Sequence, residues 1–289
     1  MQVWYITGGS GGLGLSLAKY LLEKGDRVAV TSRKLSNLER VLGKENENFL
    51  PLELNFNSSM HQDIALNFQA IESKFGRLDN LVNNAGYGLL GHMEEIEEKD
   101  LREQFEVNLF APFLVSQAAL KIMRPQSIKE GGNAQNIKAR IFNLSSIAGF
   151  RSAGASTPYS MTKFALSAFS EGLREDVIDF GISVTNVMPA GFRTEFLGSS
   201  MQLGMKQISD YEAKRKVLLG WVQQYNGLQP GNPESFAKVI FDLSRDSNPP
   251  LNLFMGDYAY EAAKAKIEQV KDDIARTEPF AGKAVDFND

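Results

Sequence analysis

A phenol and an amine stand four residues apart in the run Tyr159-Ser-Met-Thr-Lys163. On a helix this spacing puts both side chains on one face, a single turn apart. Tyrosine ionises near pH 10, too high for easy proton exchange at neutrality. An ammonium ~4 Å away is worth about 4 kcal/mol at an effective dielectric of 20. At roughly 1.4 kcal/mol per pKa unit, it would lower the phenol by up to about three units. The pair therefore reads as a tuned acid/base, although the same spacing arises by chance in many helices. What lifts it is the run NLSSIAG just upstream, whose hydroxyls at Ser145 and Ser146 fall at the carboxyl end of a predicted strand. Hydride delivery to a ketone carbon leaves negative charge on oxygen, which needs a hydrogen-bond donor and a proton as it forms. Hydroxyl, phenol and ammonium together suit that reaction.

The elements that must position these groups follow from hydrophobic periodicity. Short apolar runs at Val3–Ile6, Arg27–Ser32, Phe49–Leu54, Leu81–Asn84, Arg140–Ser145 and Ser183–Met188 read as strands. Between them lie amphipathic stretches at Gly12–Glu23, Leu35–Leu42, Ser58–Phe75, Lys99–Met123 and Ser156–Phe180, which read as helices. Nearly all-apolar strands joined by helices imply an α/β fold, a doubly wound parallel sheet covered on both faces. Such a sheet binds ligands at the carboxyl ends of its strands. Pro125–Lys138 reads as a solvated loop. Beyond Pro189 come helix-like segments at Gln202–Gln224 and Glu234–Asp246, an apolar strand at Leu251–Met255, and a charged helix with a polar tail from Tyr258. One domain over residues 1–289 is expected, of about seven strands, with a substrate-side lid at 190–230 and a C-terminal extension at 256–289.

Composition narrows the chemistry. The 289 residues carry 31 basic and 35 acidic side chains, a net charge of −4 with no basic field for a phosphate backbone, so nucleic acid is not the expected partner. No cysteine is present, which removes disulfides and thiolate chemistry, and His61 and His92 are too few and too far apart for a zinc site. The start of the chain shows no leader, and no run approaches the ~18 apolar residues of a membrane span. A soluble cytoplasmic protein without a metal or a membrane partner is expected.

Directly after the first strand comes TGGSGGLG, opening the first helix. Small residues there let backbone N–H groups approach a pyrophosphate at the positive end of the helix. At the end of the second strand an acid would accept from a ribose 2′-hydroxyl and repel a 2′-phosphate. Ser32 occupies that position, followed by Arg33, whose guanidinium suits bidentate phosphate binding, and by Lys34. This favours NADP(H) over NAD(H); the bland reading makes Arg33 a solvated surface residue. The competing acid, Asp26, precedes the strand and belongs at its opposite end.

With T-G-x-x-x-G-x-G and Y-x-x-x-K together, the chain resembles the single-domain branch of the short-chain dehydrogenase/reductase family. The resemblance spans residues 1–255 and implies an oxidoreductase moving hydride between NADP(H) and a secondary alcohol or ketone. It assigns Tyr159 as acid/base, Lys163 as its tuner and a ribose ligand, Ser146 rather than Ser145 as the substrate-oxygen donor, and Asn108 as the anchor of a water relay. It also implies cofactor contacts at Thr7, Gly8, Ser10, Gly12, Leu13 and Gly14 of the glycine loop and at Ser32 and Arg33. Further contacts are implied at Asn84, Ala85 and Gly86 of NNAG, and at Asn55 and Phe56 beside adenine, where members commonly carry an aspartate in place of Asn55. Pro189, Gly191 and Thr194 in MPAGFRTEF would run beside the nicotinamide, with Thr194 equally suited to capping a helix. Family members are commonly homodimers or homotetramers through their two long central helices.

The stretch Gly86–Met93, the surroundings of Phe150, and Phe192 to Met205 should face the substrate, and their apolar character points to an apolar alcohol or ketone. Core packing explains each of them as well, and Met201, Met205 and Trp221 read as parts of a flexible lid. His92 reads as solvent-exposed. Two other functions fit the same scaffold: a non-enzymatic NADP-binding regulator, and an epimerase or dehydratase with tightly held NAD. Retention of Ser146, Tyr159 and Lys163 speaks against the first, and Ser32-Arg33 against the second.

Overall fold

β1 (Val3–Ile6) is buried along its whole length, as a strand covered on both faces must be. In the computed structural model, which describes residues 1–204 and 206–282, it lies near the middle of a seven-stranded parallel sheet. The sheet order is β3 (Phe49–Glu53), β2 (Arg27–Ser32), β1, β4 (Asn80–Asn83), β6 (Ala139–Leu144), β7 (Ile182–Pro189) and β9 (Asn252–Met255). The chain winds outward from β1 to β3, then crosses back to lay β4 on the other side of β1. That reversal leaves a crevice at the carboxyl ends of β1 and β4.

Helices α3 (Met60–Phe75), α5 (Ala111–Lys129) and α6 (Thr157–Val177) cover one face, over a core that includes Tyr5, Ile71, Leu81, Ile141 and Val184. Helices α1 (Gly12–Glu23), α2 (Leu35–Leu42) and α8 (Pro233–Leu243) cover the other, over Trp4, Val30, Phe142, Phe236 and Ile240. One row of the sheet is polar: Asn83, Asn143, Asn186 and Asn252 stand in register on four adjacent strands. Asn83 Nδ2 donates to Asn143 Oδ1 at 2.7 Å, and Asn186 Nδ2 to Asn252 Oδ1 at 3.1 Å. The helices complete the row, Ser116 accepting from Asn83 and Ser170 from Asn143, each at 2.9 Å. These bonds tie β4 to β6 and β7 to β9, and the ends of β4 and β6 to α5 and α6, although Asn83 Oδ1 itself is buried without a partner among the described residues.

Three expectations change. The helix expected at Lys99–Met123 is α4 (Glu98–Phe105), a π turn at Glu106–Phe110, and then α5. Residues 125–129 are helical rather than loop, with Pro125 inside α5. Tertiary tethers hold that last stretch: Gln126 accepts from Leu78 N at 3.0 Å and donates to Asp79 at 3.0 Å. The segment expected as helix from Gln202 begins instead as a short strand, β8 (Met201–Leu203), paired in parallel with β5 (Gly88–Leu90). Helix α7 (Glu212–Tyr225) follows it. The C-terminal helix α9 (Asp257–Ala281) buries only its first turns, through Ala259, Ala262 and Ala263.

Candidate active site

Helix α6 starts at Thr157-Pro158, with proline in the first turn where its missing N–H costs nothing. Tyr159 and Lys163 then project from its first two turns toward the end of β6. Tyr159 is 9% exposed and Lys163 5%. Lys163 Nζ donates to the Leu144 carbonyl at 2.6 Å and lies 5.7 Å from the centre of the Tyr159 ring. Burial decides both protonation equilibria. It pushes the Tyr159 phenol up to about 12, with the neighbouring Ser146 side chain pulling the other way, and it brings the Lys163 amine down to about 7. The lowered phenol expected from a nearby ammonium is therefore not found: desolvation dominates, and the amine gives a hydrogen bond to a backbone carbonyl.

The two serines of NLSSIAG part company here. Ser145 Oγ donates to the Lys163 carbonyl at 2.9 Å and lies 3.1 Å from Ser167 Oγ, so it is spent on holding α6. Ser146, in extended backbone, keeps its hydroxyl by Tyr159 and accepts from Ala148 N at 3.1 Å. Asn108 sits within the π turn, a distortion of the kind frequent at functional sites. Its Oδ1 accepts from Tyr87 N at 3.1 Å, and its Nδ2 donates to Tyr87 O at 2.9 Å and Thr162 Oγ1 at 3.1 Å. Both amide protons are thereby committed, so the side chain pins the Gly86-Tyr87 backbone to α6 and has no proton left for a water. A Cβ on Gly86 would lie 3.1 Å from Asn108 Oδ1 and 3.6 Å from Lys163 Nζ, so Gly86 keeps the floor open between them.

On the crevice side, Thr7 Oγ1 accepts from Asn84 N and Ala85 N at 3.0 and 3.1 Å, and Asn84 Nδ2 donates to Thr7 O and Gly8 O. The glycine loop and NNAG are thus one locked unit. Gly8 takes φ +72°, and a Cβ there would meet Ala85 Cα at 2.9 Å; one on Gly14 would collide with Asn84 Nδ2. A Cβ on Gly9, which the sequence did not single out, would collide with Val30. Gly12 opens α1 and faces Thr194, while Leu13 turns inward against the core. The N-terminus of α1 carries no side-chain cap, and the space beside Gly11 is open, so its N–H groups are free for an anion.

Ser10 accepts from Ser32 Oγ at 3.2 Å, while Arg33 and Lys34 are exposed, without an ion-pair partner among the described residues. Glu53, in register with Ser32, spends its carboxylate on Leu35 N at 3.0 Å at the start of α2. Asn55 N donates to Asp63 at 2.9 Å, and Phe56 packs on the core beside it. Pro189 ends β7, Gly191 O accepts from Gly231 N, and Thr194 caps the short turn Glu195–Leu197 by accepting from Phe196 N at 3.3 Å. Asp26 lies at the opposite end of the sheet, as expected, accepting from Gln2 N, Trp4 Nε1 and Arg245.

The segment after Thr194 closes the site. Leu90, Leu197 and Val222 form a buried cluster with Tyr159, joined by Phe196, Met201, Leu203 and Leu218, and the Phe196 ring centre is 5.5 Å from that of Tyr159. Phe192 packs on the buried Phe236, so there the core reading holds, whereas Phe150 meets the half-buried Phe254 edge-on, outside the core. His92 is half-buried and stacks on Tyr211 rather than facing solvent. Met205 lies outside the described residues.

Residues 2–202 match the family model described as short chain dehydrogenase. The chain belongs to that family. It is similar to Oxidoreductase BOA17 of Botryotinia fuckeliana, 35% identical with 91% of each chain covered. It is also similar to the 3-ketodihydrosphingosine reductase of Bacteroides thetaiotaomicron, 30% identical over 88% of each. Among solved structures, a short-chain dehydrogenase from Streptomyces avermitilis superimposes with a TM-score of 0.85 at 29% identity, covering 98% of this chain and 99% of that one. As a short-chain dehydrogenase, this protein is an oxidoreductase on a Rossmann-type sheet.

Proposed function

We propose that this protein is an NADP(H)-dependent reductase of an apolar ketone, with Tyr159 as the proton donor. The observation that carries the reading is the meeting of Tyr159, Ser146 and Lys163 at the carboxyl edge of the sheet, beneath an apolar cover. The cofactor, when bound, supplies the hydride. The uncapped start of α1 and the loop Thr7–Gly14 fit its pyrophosphate, Ser32, Arg33 and Lys34 its 2′-phosphate, and Gly86 with Lys163 its nicotinamide ribose.

Ser146 and Tyr159 then hydrogen-bond the ketone oxygen, and the phenol proton moves to that oxygen as negative charge develops there. A phenol held at about 12 is fully protonated at neutral pH, which suits reduction. Lys163, once charged, stabilises the phenolate left behind. Asn108 acts by fixing the Gly86-Tyr87 backbone. The substrate side, built from Leu90, Phe196, Leu197, Met201, Leu203, Leu218 and Val222, calls for an apolar chain on the ketone, in keeping with the keto-lipid in the name of the Bacteroides relative. Residues 190–230 serve as the lid and 256–289, of which 283–289 lie outside the described residues, as an extension of the family core. Exposed Phe110, Phe113, Met161 and Phe164 on the helices around the π turn and α6 support assembly as a homodimer or homotetramer. A cytoplasmic location completes the reading.

The test is a fluorescence titration joined to a carbonyl panel. NADPH should bind at least about tenfold more tightly than NADH, because a 2′-phosphate gains charge-assisted hydrogen bonds; equal affinities would remove Arg33 from its role. Tyr159→Phe should keep NADPH affinity and lose ketone reduction by about 100-fold or more. Unchanged turnover would reassign the acid.

A further inference from the structure

Resting on the site reading above, we propose that Glu95 and Arg215 are positioning residues for the substrate, a buried latch that holds helix α7 over Tyr159. Glu95 lies in a short turn after β5 and is 1% exposed. Its carboxylate pairs with the guanidinium of Arg215 on α7 and accepts from Ile208 N at 3.1 Å. Around this pair the same two segments are joined repeatedly. Lys206 N donates to Glu95 O at 3.3 Å, Gly204 N to Leu90 O at 2.8 Å, and Tyr211 OH to Glu94 at 2.5 Å. The Tyr211 ring stacks on His92 at 4.7 Å with planes 12° apart. β5 and β8 add three paired rungs, and a Cβ on Gly204 would sit 2.8 Å from Glu95 O, so the segments are in direct backbone contact.

The helix links this latch to the chemistry. Arg215, Leu218 and Val222 recur at i, i+3 and i+7, on one face of α7. Leu218 and Val222 belong to the cluster that covers the Tyr159 phenol, while Val217 and Trp221 point to solvent. Lifting the cover from Tyr159 therefore draws Arg215 away from a carboxylate that is shielded from water. A buried charge stripped of its partner is strongly disfavoured, so the pair biases α7 toward the closed position. Closure brings apolar side chains onto the substrate and keeps water from the reacting oxygen. No other acid in the run EEIEEKD of residues 94–100 is buried, and sequence offers no sign that Glu95 differs from its neighbours.

The experiment uses Glu95→Gln, which removes the charge while keeping an acceptor for Ile208 N, together with Arg215→Lys as the conservative variant. Hydrogen exchange read by mass spectrometry should quicken about tenfold or more in residues 206–225 of Glu95→Gln, with α1 and α6 unchanged, as expected for a local opening. Arg215→Lys should stay close to wild type. With a ketone identified by the panel, Glu95→Gln should raise KM about tenfold and leave kcat within about threefold and NADPH affinity unaltered, the pattern for lost substrate-side binding. Unchanged exchange in 206–225 overturns the latch. Faster exchange throughout the chain, or faster exchange at 206–225 with an unaltered KM, makes the pair merely structural and also overturns the proposal. Should no carbonyl turn over, the exchange arm still decides the latch, and that failure belongs to the functional reading alone.

Discussion

Lys163 is where charge and burial conflict most directly. Its amine is brought down to about 7 because it sits in the protein interior, its hydrogen bond going to the Leu144 carbonyl. The unfolded chain, with an ordinary lysine near 10.4, binds a proton between pH 7 and 10.4 that the folded chain does not. Stability contributed by this group is therefore fully present above the unfolded pKa and is lost as pH falls toward 7. Lys163→Met should flatten the rise of unfolding free energy between pH 7 and 10, as measured by urea denaturation at a series of pH values. An unchanged slope would mean that the amine is not desolvated. At this scale the sequence made the identities and spacing of Tyr159, Lys163 and Ser146 legible. It could not reveal the sign of the phenol's shift, because a pair estimate at fixed dielectric omits the cost of desolvating each partner.

Among elements, the asparagine row runs across four adjacent strands, and Ser145 and Ser146 lie only two and three residues beyond Asn143. Asn143 exchanges hydrogen bonds with Asn83 and Ser170 at the centre of the row, whereas Asn252 lies on an edge strand and is exposed. Asn143→Ala should cost about 2–3 kcal/mol in chemical denaturation, from two lost buried hydrogen bonds and a small void. Asn252→Ala should cost less than about 1 kcal/mol, since water replaces its partner. Equal costs would show that the row does not act from its centre. The strands were legible because each is a short apolar run bounded by turns. The helical residues 125–129 were not, because Gln126 is held by Leu78 and Asp79, 47 to 48 positions away. β8 was missed for a similar reason: three residues gain strand geometry only by pairing with β5.

For the whole molecule, Asp26 closes the end of the sheet remote from the site. It joins the first residues of the chain to Arg245, 219 positions later, and takes the indole N–H of the fully buried Trp4. Asp26→Ala should destabilise the fold by about 2 kcal/mol, since it orphans the buried indole N–H of Trp4, while the exposed Arg245 guanidinium turns to water at little cost. NADPH affinity should stay within about twofold of wild type, because the glycine loop lies at the opposite sheet edge. A matching loss of affinity in the fluorescence titration would mean that the two ends are coupled.

The sequence by itself determined the doubly wound fold, the glycine loop and the order of Ser146, Tyr159 and Lys163, since local periodicity and fixed spacing encode all three. Tertiary structure alone decided which way burial moves the phenol and the amine and what lies over them, and it gave the physical reason for the serine that the family resemblance had picked. Ser145 and Ser146 are adjacent and chemically identical, and only the backbone direction at the end of β6 sends one into α6 and the other to Tyr159. Glu95 and Arg215 are 120 residues apart. Their pairing exists only once β5 and β8 have brought the cover down, and neither residue differs in its local run from the ordinary charges around it.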